Sequence, residues 1–163
     1  ASYYYSQPFY ALEGTLTLPQ GDVPVTGTAW LDREWSSQPL ASDQTGWDWF
    51  SISFEAGAKL MGFRLRQADG SYYTSGTWIA AEGGTTTLPD GSFDATPLDI
   101  TDVGGRAVPT RWQVRVPDRA VDITVEAINT QAWMDMAIPY WEGPVRVSGS
   151  HNGIGYLEMT GYD

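Results

Sequence analysis

Two carboxylates and four tryptophans lie close together in the first third of the chain. The segment Trp30-Leu31-Asp32-Arg33-Glu34-Trp35 is followed by Trp47-Asp48-Trp49-Phe50. If residues 30–34 form a strand, alternate side chains point to one face, and two steps along a strand span roughly 6.5–7 Å. Trp30, Asp32 and Glu34 would then share one face, with two acids near aromatic rings.

This arrangement suits proton transfer to a double bond. A carboxyl buried among apolar groups resists ionisation, and a second carboxylate nearby adds to that resistance. Such a neutral acid can donate a proton at neutral pH, and aromatic ring faces stabilise a cation. The candidate catalytic residues are therefore Asp32 and Glu34, and the candidate substrate-binding residues are Trp30, Trp35, Trp47, Trp49 and Tyr140. The alternative is a solvated Asp-Arg-Glu turn, with the tryptophans closing one end of a barrel.

Two other groups have weaker signals. Tyr140 precedes Trp141-Glu142-Gly143, a combination for which packing is the alternative role. Arg64 and Arg66 alternate with Met61, Phe63 and Leu65, which places them on the other face of a strand. That face is predicted to be a polar exterior, and an arginine inside a barrel as the partner of a carboxylate is the alternative.

Composition excludes several classes of function. The 163 residues carry 9 Lys+Arg against 20 Asp+Glu, a net charge of -11, which disfavours nucleic acid as a partner. No apolar run approaches the roughly 18 residues of a membrane span. With no Cys and one His, the chain has almost nothing for a zinc site or a Ser-His-Asp triad, so neither metal nor cofactor is expected.

The elements that must position these residues are short strands, because hydrophobicity alternates with a period of two almost everywhere. Residues 32–46 form an unusually long connection between two of them, and residues 129–138 carry a weak signal for one short helix. The predicted strands are residues 12–18, 23–31, 47–54, 60–66, 72–80, 93–100, 111–116, 121–127, 140–148 and 154–162.

Such strands, joined mostly by hairpins, predict an all-β fold. We expect an antiparallel up-and-down, lipocalin-like (calycin) β-barrel of about 8–10 strands, because closure removes sheet edges. Residues 1–163 are predicted to form this one domain. A barrel of this size can hold one small ligand, and a β-sandwich is the alternative.

The motifs resemble the AttH-like secreted proteins related to carotenoid hydratases. The resemblance rests on residues 25–37 with 46–50, on Leu60-Met61-Gly62-Phe63-Arg64-Leu65-Arg66 with Ser75-Gly76-Thr77-Trp78, and on residues 140–143 and 155–162. It covers nearly the whole chain. It implies a protein of two lipocalin-like barrels, of which this chain resembles the second, C-terminal one.

The resemblance also implies function. Some relatives hydrate carotenoid or isoflavonoid double bonds, and more distant ones catalyse intramolecular Diels–Alder-type cyclisations of polyketides. The hydratases' aromatic-x-Asp motif, which supplies the proton donor, falls on Trp30-Leu31-Asp32, with Trp in place of Tyr. We expect a bulky apolar ligand of terpenoid or polyketide type. A hydratase, a pericyclase and a non-catalytic carrier or structural domain all stay open.

Location and assembly follow from the same resemblance. It implies a secreted or periplasmic protein, although residues 1–5 show no signal peptide. A missing N-terminal domain, or self-association through the face that it would cover, is expected.

Overall fold

The computed structural model describes residues 2–36 and 40–162, and nearly all regular structure there is β-strand. The chain divides into two compact units, Ala1–Ala41 and Ser42–Asp163. The strands of the described residues are β1 Ser2–Leu18, β2 Gly21–Ser36, β3 Gln44–Phe54, β4 Lys59–Gln67, β5 Tyr72–Ile79, β6 Thr85–Leu88, β7 Asp94–Val103, β8 Arg106–Val116, β9 Val121–Ala127, β10 Trp133–Met134, β11 Tyr140–Gly149 and β12 Gly153–Met159.

The first unit is a long antiparallel hairpin of β1 and β2, which pair from Leu18 with Gly21 to Ser2 with Ser36. The turn is tight because Gly21 adopts φ +124°, a conformation that favours glycine. The pairing shifts between Gln7 and Tyr10, where β1 holds one more residue than β2. This bulge keeps Gln7 and Tyr10 on the same face.

The two faces of the hairpin differ in character. Directly paired residues share a face, so the register assigns each paired residue to one side. The apolar face carries Tyr3, Tyr5, Gln7, Tyr10, Leu12, Leu16, Leu18, Val23, Val25, Ala29, Leu31, Arg33 and Trp35. The more polar face carries Tyr4, Ser6, Ala11, Glu13, Thr15, Thr17, Asp22, Pro24, Thr26, Thr28, Trp30, Asp32 and Glu34.

The second unit is one curled antiparallel sheet. Its strands follow the order β6-β5-β4-β3-β12-β11-β9-β8-β7, and β10 pairs with β11 at the side. Most neighbours in this order are also neighbours in sequence, and the first and last strands of the unit, β3 and β12, pair with each other. The predicted all-β, antiparallel, barrel-like fold class is confirmed.

The core of this sheet is its inner face. Alternate residues of β3 point inward, so Phe50, Ile52 and Phe54 are buried. They pack with residues of the other strands, of which Trp112, Trp141, Phe93, Leu60, Ile123 and Leu157 are among the largest fully buried side chains. The inner face of the sheet is thus filled by its own side chains.

Two sequence predictions about local structure are wrong. The connection expected over residues 32–46 is shorter, because β2 runs to Ser36 and β3 starts at Gln44; its residues 37–39 lie outside the described part. No α-helix forms over residues 129–138. Trp133 and Met134 instead pair with Trp141 and Tyr140 of β11, which satisfies their backbone groups in the sheet. No helix in the described part is long and apolar enough to cross a membrane.

Candidate functional site

The predicted acids lie together on the polar face of the hairpin. β2 continues through Glu34, so Trp30, Asp32 and Glu34 share that face, as the spacing predicts. Ser6 is directly opposite Asp32 on β1, and its hydroxyl donates a short hydrogen bond to Asp32 Oδ1. Trp30 and Asp32 are half-buried, whereas Glu34 is exposed. The two acids therefore differ in their surroundings although they are neighbours on one face.

Trp35 lies on the opposite face of the hairpin. Its ring centroid is 5.9 Å from that of Tyr5, and the Arg33 guanidinium lies 5.1 Å from it. These contacts stabilise Trp35 at the end of β2, although half of the residue remains exposed. Within the hairpin, Trp30 is thus the only one of the predicted tryptophans on the face that holds Asp32.

Trp47, Trp49 and Tyr140 lie in the sheet, on its outer face. Their neighbours Asp48, Phe50 and Trp141 point inward, which turns these three rings outward. The ring of Trp47 meets that of Tyr140 edge-on at 6.0 Å, and all three residues are half-buried. They form an aromatic outer surface of the sheet.

Trp47 also contacts one of two neighbouring acids on this outer surface. Its Nε1 donates a 3.0 Å hydrogen bond to Glu158 Oε1, and Glu158 is directly paired with Glu142 on β11. Partial burial, followed by the charges of these two glutamates, raises the pKa of the neighbouring Tyr156. Glu158 itself is half-buried.

A charged cluster that sequence reasoning missed occupies the inner face of the sheet. Asp48 is fully buried. Its Oδ2 accepts a 3.0 Å hydrogen bond from Arg64 Nε, and its Oδ1 accepts from Arg66 and, at 2.8 Å, from the Tyr162 hydroxyl. Because both oxygens are paired, this carboxylate is compensated within the core.

Arg64 and Arg66 are thus inward-facing, which corrects the prediction of a polar exterior. Arg64 also donates to the Ala95 carbonyl and lies 4.9 Å from the Trp112 ring, and Arg66 lies 4.1 Å from the Tyr162 ring. The prediction of an exterior position was wrong because β4 has apolar residues on both faces. The alternation of residues in β4 therefore does not indicate which face points to the core. Leu60 and Gly62, which face the buried core, share the side of the two arginines.

Burial and charge act together on Tyr162. Removal from water, followed by the negative charge of Asp48, raises the pKa of the Tyr162 hydroxyl well above its usual range, and the positive charge of Arg66 offsets part of this. The neutral hydroxyl is the form that donates to Asp48. The cluster therefore favours one protonation state of Tyr162.

The sequence does contain a signal for this cluster. Asp48 is in phase with Phe50, Ile52 and Phe54, three residues of an inward pattern, so the period of two predicts an inward acid. An inward acid needs a positive partner, and Arg64 and Arg66 are candidates of the right type. Their assignment needed the pairing of β3 with β4, which places Asp48 opposite Arg64.

Within residues 2–36 and 40–162, no group of three or more His, Asp or Glu side chains is placed to hold a metal ion. The chemistry available to the candidate site is that of a carboxyl, a hydroxyl and an indole.

Comparisons with known proteins place the chain among its relatives. A family model described as AttH-like matches residues 1–162. A crystal structure from Nitrosomonas europaea, of a protein provisionally assigned as AttH, has a TM-score of 0.89 and 32% identity over 99% of this chain and 53% of that chain. Kievitone hydratase from Nectria haematococca shares the fold, with a TM-score of 0.77 and 18% identity over 98% of this chain and 52% of that chain. No curated protein matches.

The chain spans about half the length of these two solved structures.

Proposed function

Because the chain belongs to the AttH-like family, which matches it over residues 1–162, we propose that it binds a bulky, mostly apolar small molecule and adds water across one of its double bonds. Asp32 is the proton donor. The observation that carries this proposal is the position of Asp32 on the hairpin: half-buried, on one face with Trp30, and held by the Ser6 hydroxyl.

The reaction needs one acid that recovers its proton. Asp32 transfers its proton to one carbon of the double bond, whose π electrons form the new C–H bond. The other carbon becomes a cation, which the indole ring of Trp30 stabilises. Water adds to this carbon and returns a proton to the Asp32 carboxylate. The net change is the addition of one water, and no cofactor takes part.

Ser6 has a positioning role in this scheme. Its hydroxyl donates to Oδ1 of Asp32 from the directly opposite position on β1. That contact fixes the rotamer of the carboxyl and assigns the proton transfer to Oδ2. Glu34 is exposed on the same face, where its charge orients the attacking water.

The filled inner face of the sheet limits where a ligand binds. Phe50, Trp112 and Trp141 are fully buried there, so a bulky guest would have to displace core side chains, each at a cost of about 3–5 kcal/mol. Ligand binding on the polar face of the hairpin avoids this cost. Ligand-contact roles for Trp35, Trp47, Trp49 and Tyr140 stay predictions.

The exposure of Glu34 and the filled inner face of the sheet favour a second function, that of a carrier without catalysis. An exposed Glu34 and a filled sheet interior leave little to exclude water, and excluded water is what strengthens acid chemistry in a closed site. A carrier binds the apolar ligand and releases it unchanged.

Three compounds separate these functions when each is incubated with the protein. They are a carotenoid, retinol, and kievitone, the compound in the name of one structural neighbour. Binding is measured by tryptophan fluorescence quenching, and hydration by a product heavier by one water. We expect Asp32→Asn to lower turnover on the order of 10²–10⁴-fold while quenching is unchanged. Asp22→Asn is the matched control, because Asp22 is an exposed acid on the same face of the same strand.

Each outcome decides between the functions. Turnover by Asp32→Asn at the wild-type rate contradicts the role of Asp32. Quenching without a product in the wild-type protein assigns the carrier function, and no quenching by any of the three compounds overturns both functions.

A further inference from the structure

The only lysine of the sequence is a buried residue of the sheet. Lys59 begins β4 and is 7% exposed. Leu60 and Ile52 are directly paired and point into the core, so Lys59, one residue before Leu60, lies on the outer face. Lysine is one of the residue types least often buried, which makes the amine of Lys59 an unusual feature of this surface.

The amine of Lys59 contacts a serine hydroxyl. Its Nζ donates a 2.6 Å hydrogen bond to Oγ of Ser53, which is the residue directly paired with Lys59 on β3. The directly paired residue on β5 is Ile79, which is buried as well. The register therefore places Lys59 between a hydroxyl and an apolar side chain. Burial lowers the pKa of Lys59, which increases the share of neutral amine at a given pH.

We propose that Lys59 forms a Schiff base with an apolar aldehyde on the outer face of the sheet, and that the Ser53 hydroxyl relays protons in this step. A neutral amine attacks carbonyl carbons, and removal from water is one way in which proteins activate a lysine for this chemistry. The site uses neither Asp32 nor any other residue of the hairpin, so it does not depend on the proposed function.

The reaction is a condensation. The Nζ lone pair attacks the carbonyl carbon, and the π electrons of the C=O bond move to the oxygen. A proton passes from the nitrogen through the Ser53 hydroxyl to that oxygen, which gives a carbinolamine. The carbinolamine loses its hydroxyl and the remaining proton of the nitrogen as water, while the nitrogen lone pair forms the C=N bond. One aldehyde and one amine thus give one Schiff base and one water, and nothing is oxidised or reduced.

The neighbouring side chains favour an aldehyde with an apolar chain. Met61 lies two residues after Lys59 on the same face of β4, and Ile154 on β12 is directly paired with Ser53. Ile154 is 64% exposed and Ser53 is half-buried, so a ligand can approach from this side. An alkyl chain that lies over Ile154 removes apolar surface from water, which a small polar aldehyde cannot do.

Reductive trapping tests the proposal. The protein is incubated with decanal and cyanoborohydride, which reduces the Schiff base to a stable amine. Mass spectrometry of peptides then locates the adduct, which is heavier by the aldehyde less one oxygen atom. Arg115→Lys is the matched control, because it adds a lysine at an exposed position of β8 in the same sheet. In this variant we expect Lys59 to react at least about tenfold faster than position 115, because its amine is more often neutral and its neighbours are apolar.

A second set of variants tests the proton relay. Ser53→Ala should slow the reaction of Lys59 on the order of tenfold, because a positioned group no longer transfers the proton. Ser53→Thr restores a hydroxyl and should recover most of the wild-type rate. Ser51→Ala, on the same face of β3, is the control and should leave the rate unchanged within about twofold. Circular dichroism verifies that each variant retains its strands.

The absence of an adduct at Lys59 overturns the proposal, and so do equal rates at Lys59 and position 115. A reaction of Lys59 with glycolaldehyde, a small polar aldehyde, that is as fast as that with decanal contradicts the apolar ligand class. A wild-type rate in Ser53→Ala contradicts the relay. None of these measurements involves hydration of a double bond, so their failure is distinct from a failure of the proposed function.

Discussion

Two aspartates, one in each unit of the chain, have opposite surroundings. Asp48 in the sheet is fully buried and contacts two arginines and a tyrosine hydroxyl. Asp32 in the hairpin is half-buried and accepts a hydrogen bond from the hydroxyl of Ser6. Both oxygens of the Asp48 carboxylate are paired within the core, so its role is structural. The role proposed for Asp32 is instead directed at a ligand, because its described hydrogen-bond partner is one neutral hydroxyl.

The comparison extends to the two units. The sheet covers its apolar face with its own side chains, as the buried contacts of Phe50 with Phe93 and Trp112 show. The hairpin leaves its apolar face open. The large buried side chains described above belong to the sheet, and the hairpin carries the surface proposed for catalysis.

The largest effect is expected from Asp48→Asn. The amide leaves two half-buried guanidinium groups without the charge of fully buried Asp48, and breaking a buried ion pair costs about 3–5 kcal/mol. The free energy of unfolding, measured by urea denaturation, should fall by that amount. A loss below about 1 kcal/mol would show that the arginines find other partners and would end the contrast with Asp32.

Asp99→Asn is the control for this variant. Asp99 Oδ2 lies 3.0 Å from Arg111 Nη1, the same distance as in the pair of Asp48 with Arg64, but both side chains are largely exposed. An exposed pair contributes about 0–1 kcal/mol because water screens it. The difference between the two variants isolates the effect of burial.

Tyr162→Phe sharpens the comparison through pH. It removes the hydrogen bond to Asp48, which should lower the free energy of unfolding by about 2 kcal/mol at pH 7. Burial raises the folded-state pKa of Tyr162 above its usual 10.0. Its contribution is therefore fully present below pH 10 and is lost as the pH rises, because the unfolded tyrosine ionises first.

The measurement is urea denaturation from pH 8 to pH 11. The wild-type free energy of unfolding should decline above pH 10, and the decline should be shallower in Tyr162→Phe. Parallel curves for the two proteins would contradict the raised pKa. Tyr3→Phe is the control, because Tyr3 is 73% exposed and its hydroxyl is not buried in the core.

A pair of glycine substitutions compares packing in the two units. A Cβ at Gly62 in β4 would overlap the ring of Phe93, whereas one at Gly14 in β1 meets no atom within 4 Å. Overpacking of a filled core costs about 1–3 kcal/mol, so Gly62→Ala should lower the thermal midpoint. Gly14→Ala should leave it unchanged or raise it slightly, because alanine reduces the freedom of the unfolded chain. Equal losses in both variants would contradict this difference in packing between the two positions.

Sequence reasoning predicted the fold class because alternation with a period of two specifies strands directly. It also placed Trp30, Asp32 and Glu34 on one face, since that needs only a strand through Glu34. It missed the partners of Asp48, because Arg64 and Arg66 meet it through the pairing of β3 with β4, a contact between distant parts of the chain.

Sequence reasoning also failed to place Trp35 and Asp32 on opposite faces of the hairpin, and for another reason than the missed partners of Asp48. An odd spacing in one strand places the two on opposite faces, and the sequence interpretation grouped them by proximity along the chain. The apolar face of the hairpin was missed because residues 2–11 were not assigned to a strand. The bulge between Gln7 and Tyr10 interrupts the period of two there, so the alternation is visible only with the pairing known.

The smallest loss in the free energy of unfolding is expected from Asp32→Asn. The same substitution tests proton donation by Asp32 in the proposed hydration. Asp32 is half-buried and has no arginine in the contacts described for the hairpin, so the amide leaves no buried charge uncompensated. The free energy of unfolding should change by less than about 1 kcal/mol, the net contribution of one hydrogen bond. Ser6→Ala, which removes the other side of the contact, should have an effect of similar size. A loss approaching that of Asp48→Asn would make Asp32 a structural group, and a loss of turnover in this variant would then no longer count as evidence for proton donation.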